Sequence, residues 1–185
     1  MRTLPDRVRP GLDVLSIGIN PSRYSVEKGF YFARPQNRFW KALARSGLAP
    51  RTLEPGAGSI EILFEDHGIG FTDVVKRPTR AAAELDAEEW RRGARSLRRK
   101  ILRARPRIAW FHGREAWTQY LRHAEEVRAE FRWGKQELRI GDSLAFVTPN
   151  PSGLNAGHSL EDLVREYRKL ARLRDALAAG PRSLR

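Results

Sequence analysis

The chain has 185 residues, no cysteine, a formal net charge of +13 and a sequence pI near 11.0. That length suits one domain burying roughly 70% of its unfolded surface, and the lack of cysteine excludes disulfides, cysteine-held zinc and iron–sulfur clusters. So strong a positive field points to an anionic partner, with nucleic acid favoured, through steering and salt-sensitive phosphate contacts.

No apolar run approaches membrane-spanning length, and residues 1–7 lack the apolar stretch of a secretory signal, so a cytoplasmic location and no membrane partner are expected. His67, His112, His123 and His158 show no close ligand spacing, so neither a metal site nor a cofactor is expected. The expected organisation is one domain over residues 1–185, with its core at about 12–175 between short basic tails, acting as a monomer.

Residues 14–19 form an apolar run that stops at Asn20-Pro21-Ser22 and reads as a buried parallel strand. Loops at the carboxyl ends of such strands hold the ligand in open α/β sheets, which puts Asn20 where chemistry is done. Taken alone, an Asn-Pro turn that merely closes a strand is the simpler reading. Residues 18–36 then form a long loop rich in Gly, Pro, Ser and aromatics, a length usually tied to function. Asn37 is placed to cap a helix carrying Phe39, Trp40, Leu43 and Ala44 on one face and ending at Gly47. A turn-rich connection leads to a short helix opened by Ser59, running through Phe64 and closed by Gly68.

Residues 70–75 read as a second strand, apolar except for Thr72 and Asp73. A carboxylate there is costly if buried. Asp73 is either a cap for a neighbouring turn or a carboxylate at the sheet rim facing the Asn20 loop. Asp86 and Glu89 form a capping box for a helix with Trp90, Ala94, Leu97 and Ile101 inward. Residues 91–107 hold nine Lys or Arg and no acid, a pattern that fits a solvated helix face better than a base-reading one. Pro106 ends that helix, and Ile108 to Phe111 is a third strand reaching His112, either an acid–base group or a satisfied histidine at the rim.

A helix from about Arg114 carries Trp117, Tyr120 and Leu121, followed by a hairpin of residues 136–140 and 143–148 turning at Gly141-Asp142. The second hairpin strand runs into Asn150-Pro151-Ser152, the same tripeptide that follows the first strand. In one parallel sheet the two Asn-Pro-Ser loops open on one rim, although the tripeptide is common turn chemistry. A last helix capped by Ser159 turns Leu160, Leu163, Val164, Tyr167, Leu170 and Leu173 inward, and a frayed tail is expected beyond Leu177. The alternation of strand and helix predicts an α/β fold, a three-layer α/β/α sandwich with a mainly parallel central sheet.

Five ordered blocks, Gly18-Ile19-Asn20-Pro21, Gly29 to Pro35 with Asn37 to Lys41, Arg77-Pro78-Thr79, Trp133-Gly134-Lys135-Gln136 and Asn150 to Leu154, carry a resemblance over about residues 12–175. The chain resembles the mismatch-specific uracil-DNA glycosylases, bacterial relatives of thymine-DNA glycosylase. That resemblance implies a uracil-DNA glycosylase-like fold, a double-stranded DNA partner containing uracil or mismatches, and hydrolysis of the N-glycosidic bond of a flipped uracil. It further implies that Asn20 positions the attacking water and Phe32 stacks on the pyrimidine, with the Ile19 backbone lining the same pocket. Asn150 would offer its amide to the base or sugar, and Ser152, Gly153, Leu154 and Asn155 would form the wedge loop.

Without the resemblance, Phe32 reads as a core aromatic, and Leu154 could pack inward. Asn20 can accept a hydrogen bond from water but cannot take its proton, so Asp73 is the candidate base on chemical grounds; the family pattern assigns it no role, that position often being Lys. Ser22, at the pocket, replaces the usual Gly, and Ala156 stands where relatives have Arg, which makes mismatch preference a weaker expectation than uracil excision. A serine hydrolase fails because residues 149–153 are not a Gly-x-Ser-x-Gly elbow. A non-catalytic DNA-binding module of the same fold is the remaining alternative.

Overall fold

In the computed structural model, residues 2–155 and 157–180 are described. Five strands form one sheet in the order β2-β1-β3-β5-β4. They are β1 (Val14–Gly18), β2 (Ile69–Asp73), β3 (Ile108–His112), β4 (Gly134–Ile140) and β5 (Ser143–Thr148). β1 pairs in parallel with β2 and β3, β3 pairs in parallel with β5, and only β4 runs antiparallel, at the edge. The expected mainly parallel sheet is therefore present.

Alternation along the strands sends successive side chains to two cores. Val14, Ile69, Phe71, Ile108, Trp110 and Phe146 face one layer. It holds α2 (Phe39–Ala44), α3 (Ala57–Glu65) and α6 (Leu160–Ala179). Leu15, Ile17, Ala109, Phe111, Ala145 and Val147 face the other, which holds α4 (Ala87–Ala104) and α5 (Arg114–Tyr120). The result is the predicted three-layer sandwich.

The helix ends follow local chemistry. Asp86 and Glu89 make the reciprocal capping box of α4, and the helix stops at Arg105, in the left-handed region at φ 48°, just before Pro106. Ser159 caps α6 in the same way with Asp162, and burial of Leu163, Val164, Tyr167 and Leu170 reproduces the predicted stripe. Asn37 Oδ1 accepts from the Phe39 amide at 2.9 Å, so the expected cap serves α2 from two residues upstream of its first turn.

Four local expectations are corrected. The 18–36 segment is not all loop: it contains α1 (Arg23–Lys28), capped by Ser22 and closed by Gly29 at φ 81°. Six residues with one serine cap carry too little periodicity to be read from sequence. α3 begins at Ala57, ahead of Ser59, whose hydroxyl donates to the Glu54 carbonyl at 2.5 Å instead of capping. The segment before residue 12 is packed rather than a tail: Leu4 is buried, and Arg7 bridges Phe71 in antiparallel fashion, with both amides bonded at 2.9 Å. α6 runs on through Ala179, past the expected end at Leu177. The rest of the predicted tail, and Ala156, lie outside the described residues.

Candidate active site

The carboxyl ends of β1, β2, β3 and β5 surround a cavity of about 570 Å³. Of the residues singled out from sequence, Ile19, Asn20, Ser22, Phe32, Asp73, Asn150, Ser152, Leu154 and Asn155 all line it; Gly153 does not. The two Asn-Pro-Ser loops therefore open on one rim, on either side of β3. Arg34, Arg80 and Arg114 add positive charge to the cavity wall.

Asn20 is held by its amide. Nδ2 donates to the Arg77 carbonyl at 2.7 Å and to Thr79 Oγ1 at 2.8 Å. Thr79 donates its own proton to the Ala81 carbonyl at 2.8 Å, so its oxygen meets Asn20 as an acceptor. These contacts fix which end of the carboxamide faces inward and leave Oδ1 as the cavity-side acceptor. Arg77 is in turn anchored on α4, where it hydrogen-bonds Glu89 and holds that carboxyl down at about 2. Thr79, only 2% exposed, is a site residue that sequence reading missed, although Arg77-Pro78-Thr79 was one of the five blocks.

Asp73 is the end residue of β2, paired with Gly18 across the β1–β2 ladder, and only 4% exposed. A Cβ on Gly18 would lie 2.5 Å from Asp73 Oδ1, so the carboxylate packs directly over the glycine. Burial pushes the Asp73 carboxyl up to about 6, opposed by Lys76. That opposition is partial because Lys76 Nζ lies 3.5 Å from Asp73 but 2.9 Å from Asp6 Oδ1, and also donates to Tyr31 Oη at 3.2 Å. Asp6 is shared further with Lys100 Nζ and Thr72 Oγ1 at 2.5 and 2.7 Å. The N-terminal segment thus supplies a second carboxylate, Asp6, that draws Lys76 away from Asp73 and itself helps to raise the Asp73 carboxyl, an arrangement that nothing in the local sequence signals.

The Phe32 ring lies parallel to Phe39 with centroids 4.0 Å apart and 13° between planes. One face is covered; the ring lines the cavity, where it can receive a planar base on the other. Phe32 also has φ 57°, an uncommon left-handed conformation for a bulky residue. Phe32 thus packs on a core aromatic and lines the cavity at once. His112, 1% exposed, meets Ser16 Oγ through Nε2 at 2.8 Å, and burial lowers it to about 3. It lines the cavity as a neutral ring rather than as an acid–base group at neutral pH.

On the opposite rim, Asn150 Oδ1 accepts from the Ser152 amide at 2.9 Å, leaving Nδ2 as its donor. Asn155 Nδ2 donates to the Asn150 carbonyl at 3.0 Å, and Leu154 stands 76% exposed at the loop tip instead of packing inward. The Ser22 hydroxyl is occupied with Ser25, accepting from its amide at 3.1 Å and donating to its Oγ at 3.0 Å. Ser22 therefore lines the cavity with its hydroxyl committed to the α1 cap. Among the described residues no group of three or more His, Cys, Asp or Glu side chains has the arrangement of a metal site.

The solution NMR structure of a candidate uracil DNA glycosylase from Methanosarcina acetivorans is similar, with a TM-score of 0.61 and 21% sequence identity over 94% of this chain and 98% of that one. At that identity the likeness speaks for the fold. The family model of the uracil DNA glycosylase superfamily matches residues 5–175, from the packed N-terminal segment through most of α6. With its sheet order, rim cavity and that match over most of its length, the chain belongs to the uracil DNA glycosylase superfamily.

Proposed function

We propose that this protein is a monofunctional, mismatch-type uracil-DNA glycosylase, which hydrolyses the N-glycosidic bond of a uracil flipped from duplex DNA and leaves an abasic site. The observation that carries this reading is the fixed Asn20 carboxamide, with its oxygen to the cavity, in the same pocket as the buried Asp73 carboxylate.

The flipped base stacks on the open face of Phe32, and Asn150 offers Nδ2 to the base or sugar. Asn20 Oδ1 accepts a hydrogen bond from the attacking water. Asp73 takes the water's proton as it adds to C1′, or stabilises the cationic sugar by its charge. The C1′–N bond breaks with its electron pair going to uracil, which departs as an anion stabilised by donors on its oxygens. Leu154 fills the vacated stack.

Uracil release from a labelled duplex with a G:U pair, in the presence of EDTA, tests this. Release of free uracil with an intact abasic strand is the expected result. Binding without release would return the protein to a DNA-binding module, and zinc-dependent recovery after chelation would overturn the metal-free mechanism.

A further inference from the structure

Arg38 lies in the turn before α2, yet its guanidinium is directed at the loop that follows β5. Nη2 donates to the carbonyls of Ser152 at 3.0 Å and Asn155 at 2.8 Å, and Nη1 donates to the carbonyl of His158. The Arg38 backbone N–H donates to the Pro151 carbonyl at 2.9 Å. Carbonyls spread over eight residues of chain therefore converge on one planar cation. Its partners among the described residues are carbonyls, so no carboxylate cancels the charge.

The turn supports the loop at a second point. A Cβ on Gly153 would lie 2.9 Å from Gln36 Cβ and 3.1 Å from the Gln36 carbonyl oxygen, so the loop tip rests on the residues just before Arg38. Leu154, the next residue, remains exposed. A loop free to relax would bring that leucine down onto apolar surface; here the carbonyls on both sides of it are tied.

We propose that Arg38 is a positioning residue for duplex engagement. It holds residues 151–155 and His158 in the arrangement that keeps Leu154 outward before DNA arrives, and it gives that rim a positive charge for the phosphate backbone. The role rests on the reading of Leu154 as the group that enters the duplex stack. A loop already ordered loses less conformational freedom on binding, which favours tight association. Lysine cannot substitute fully, because its single ammonium lacks the planar fork that reaches several carbonyls at once.

Arg38→Gln and Arg38→Lys test this, with a duplex containing an abasic-site analogue as the binding probe. Arg38→Gln should bind the probe about tenfold more weakly, with a slope of log affinity against log salt shallower by about 1. The amides of Ser152, Leu154 and Asn155 should exchange faster while those of β5 and α6 keep their protection. Uracil release should fall at least tenfold more on duplex than on single-stranded substrate. Arg38→Lys should recover the salt slope but not the loop protection, and it carries the test if Arg38→Gln fails to fold. Wild-type loop exchange and probe affinity in the variants would overturn the role, as would equal losses on both substrates with a lowered melting temperature. If the wild-type protein releases uracil from neither substrate, the glycosylase reading fails, while loop exchange and probe binding still decide the part played by Arg38.

Discussion

Replacing Asp73 with Asn removes the carboxylate assigned as base in the Asn20 cavity while keeping size and polarity almost unchanged. The wild-type carboxyl is raised by burial to about 6, so uracil release should climb about tenfold per pH unit below 6 and level off above it. Asp73→Asn should lose on the order of 10²-fold at neutral pH and lose that acid limb, whereas Asn20→Asp should retain appreciable activity because it still accepts a hydrogen bond from water. Stability should move the other way. A carboxyl whose folded value lies above its unfolded value of 3.8 contributes stability below the unfolded value and loses it as pH rises through about 6. At pH 8 the buried charge costs about 1–3 kcal/mol, so Asp73→Asn should melt several degrees above wild type there, and the gap should close near pH 4. Single-turnover release across pH 5–9 and thermal unfolding at both pH extremes read the two effects. A stable Asp73→Asn protein with the wild-type rate and an unchanged acid limb would refute the catalytic assignment and leave a structural cap.

Thr79→Val keeps the shape but removes the acceptor of the Asn20 amide; single-turnover release should fall about tenfold, in line with loss of one orienting hydrogen bond. Gly18→Ala would put a methyl 2.5 Å from Asp73 Oδ1; release should drop and the acid limb should move, while a variant with a wild-type pH profile would show that the carboxylate shifts without consequence. Leu154→Ala should weaken release from duplex more than from single strand without lowering the melting temperature, since the side chain is 76% exposed; equal losses on the two substrates would point to a pocket role.

The parts legible in the sequence are those whose chemistry is local. The capping box of Asp86 and Glu89, the stripe from Trp90 to Ile101 and the two strands ending in Asn-Pro-Ser each declare themselves within a few residues. Placing both tripeptides on one rim needed only the rule that parallel strands share a carboxyl end. The missed features depend on distant partners. Leu4 is an isolated apolar residue among charges and reveals its burial only against the completed sheet. Asp6 finds Lys76 and Lys100 at separations of 70 and 94 residues, and no periodicity encodes that. Thr79 was visible in a motif, but its role depends on which way a carboxamide 59 residues away is turned.

The reach of Arg38 bears on how the protein is made. The carbonyl it meets at His158 lies 120 residues further along the chain. At a synthesis rate of 5–20 residues per second, roughly 6–24 s separate the two on the ribosome. During that interval the chain holds Phe32 and Asn20 but lacks the opposite rim, so the cavity between them cannot yet close. Closing the rim therefore joins residues about two thirds of the chain apart, and it has to wait for the segment after β5.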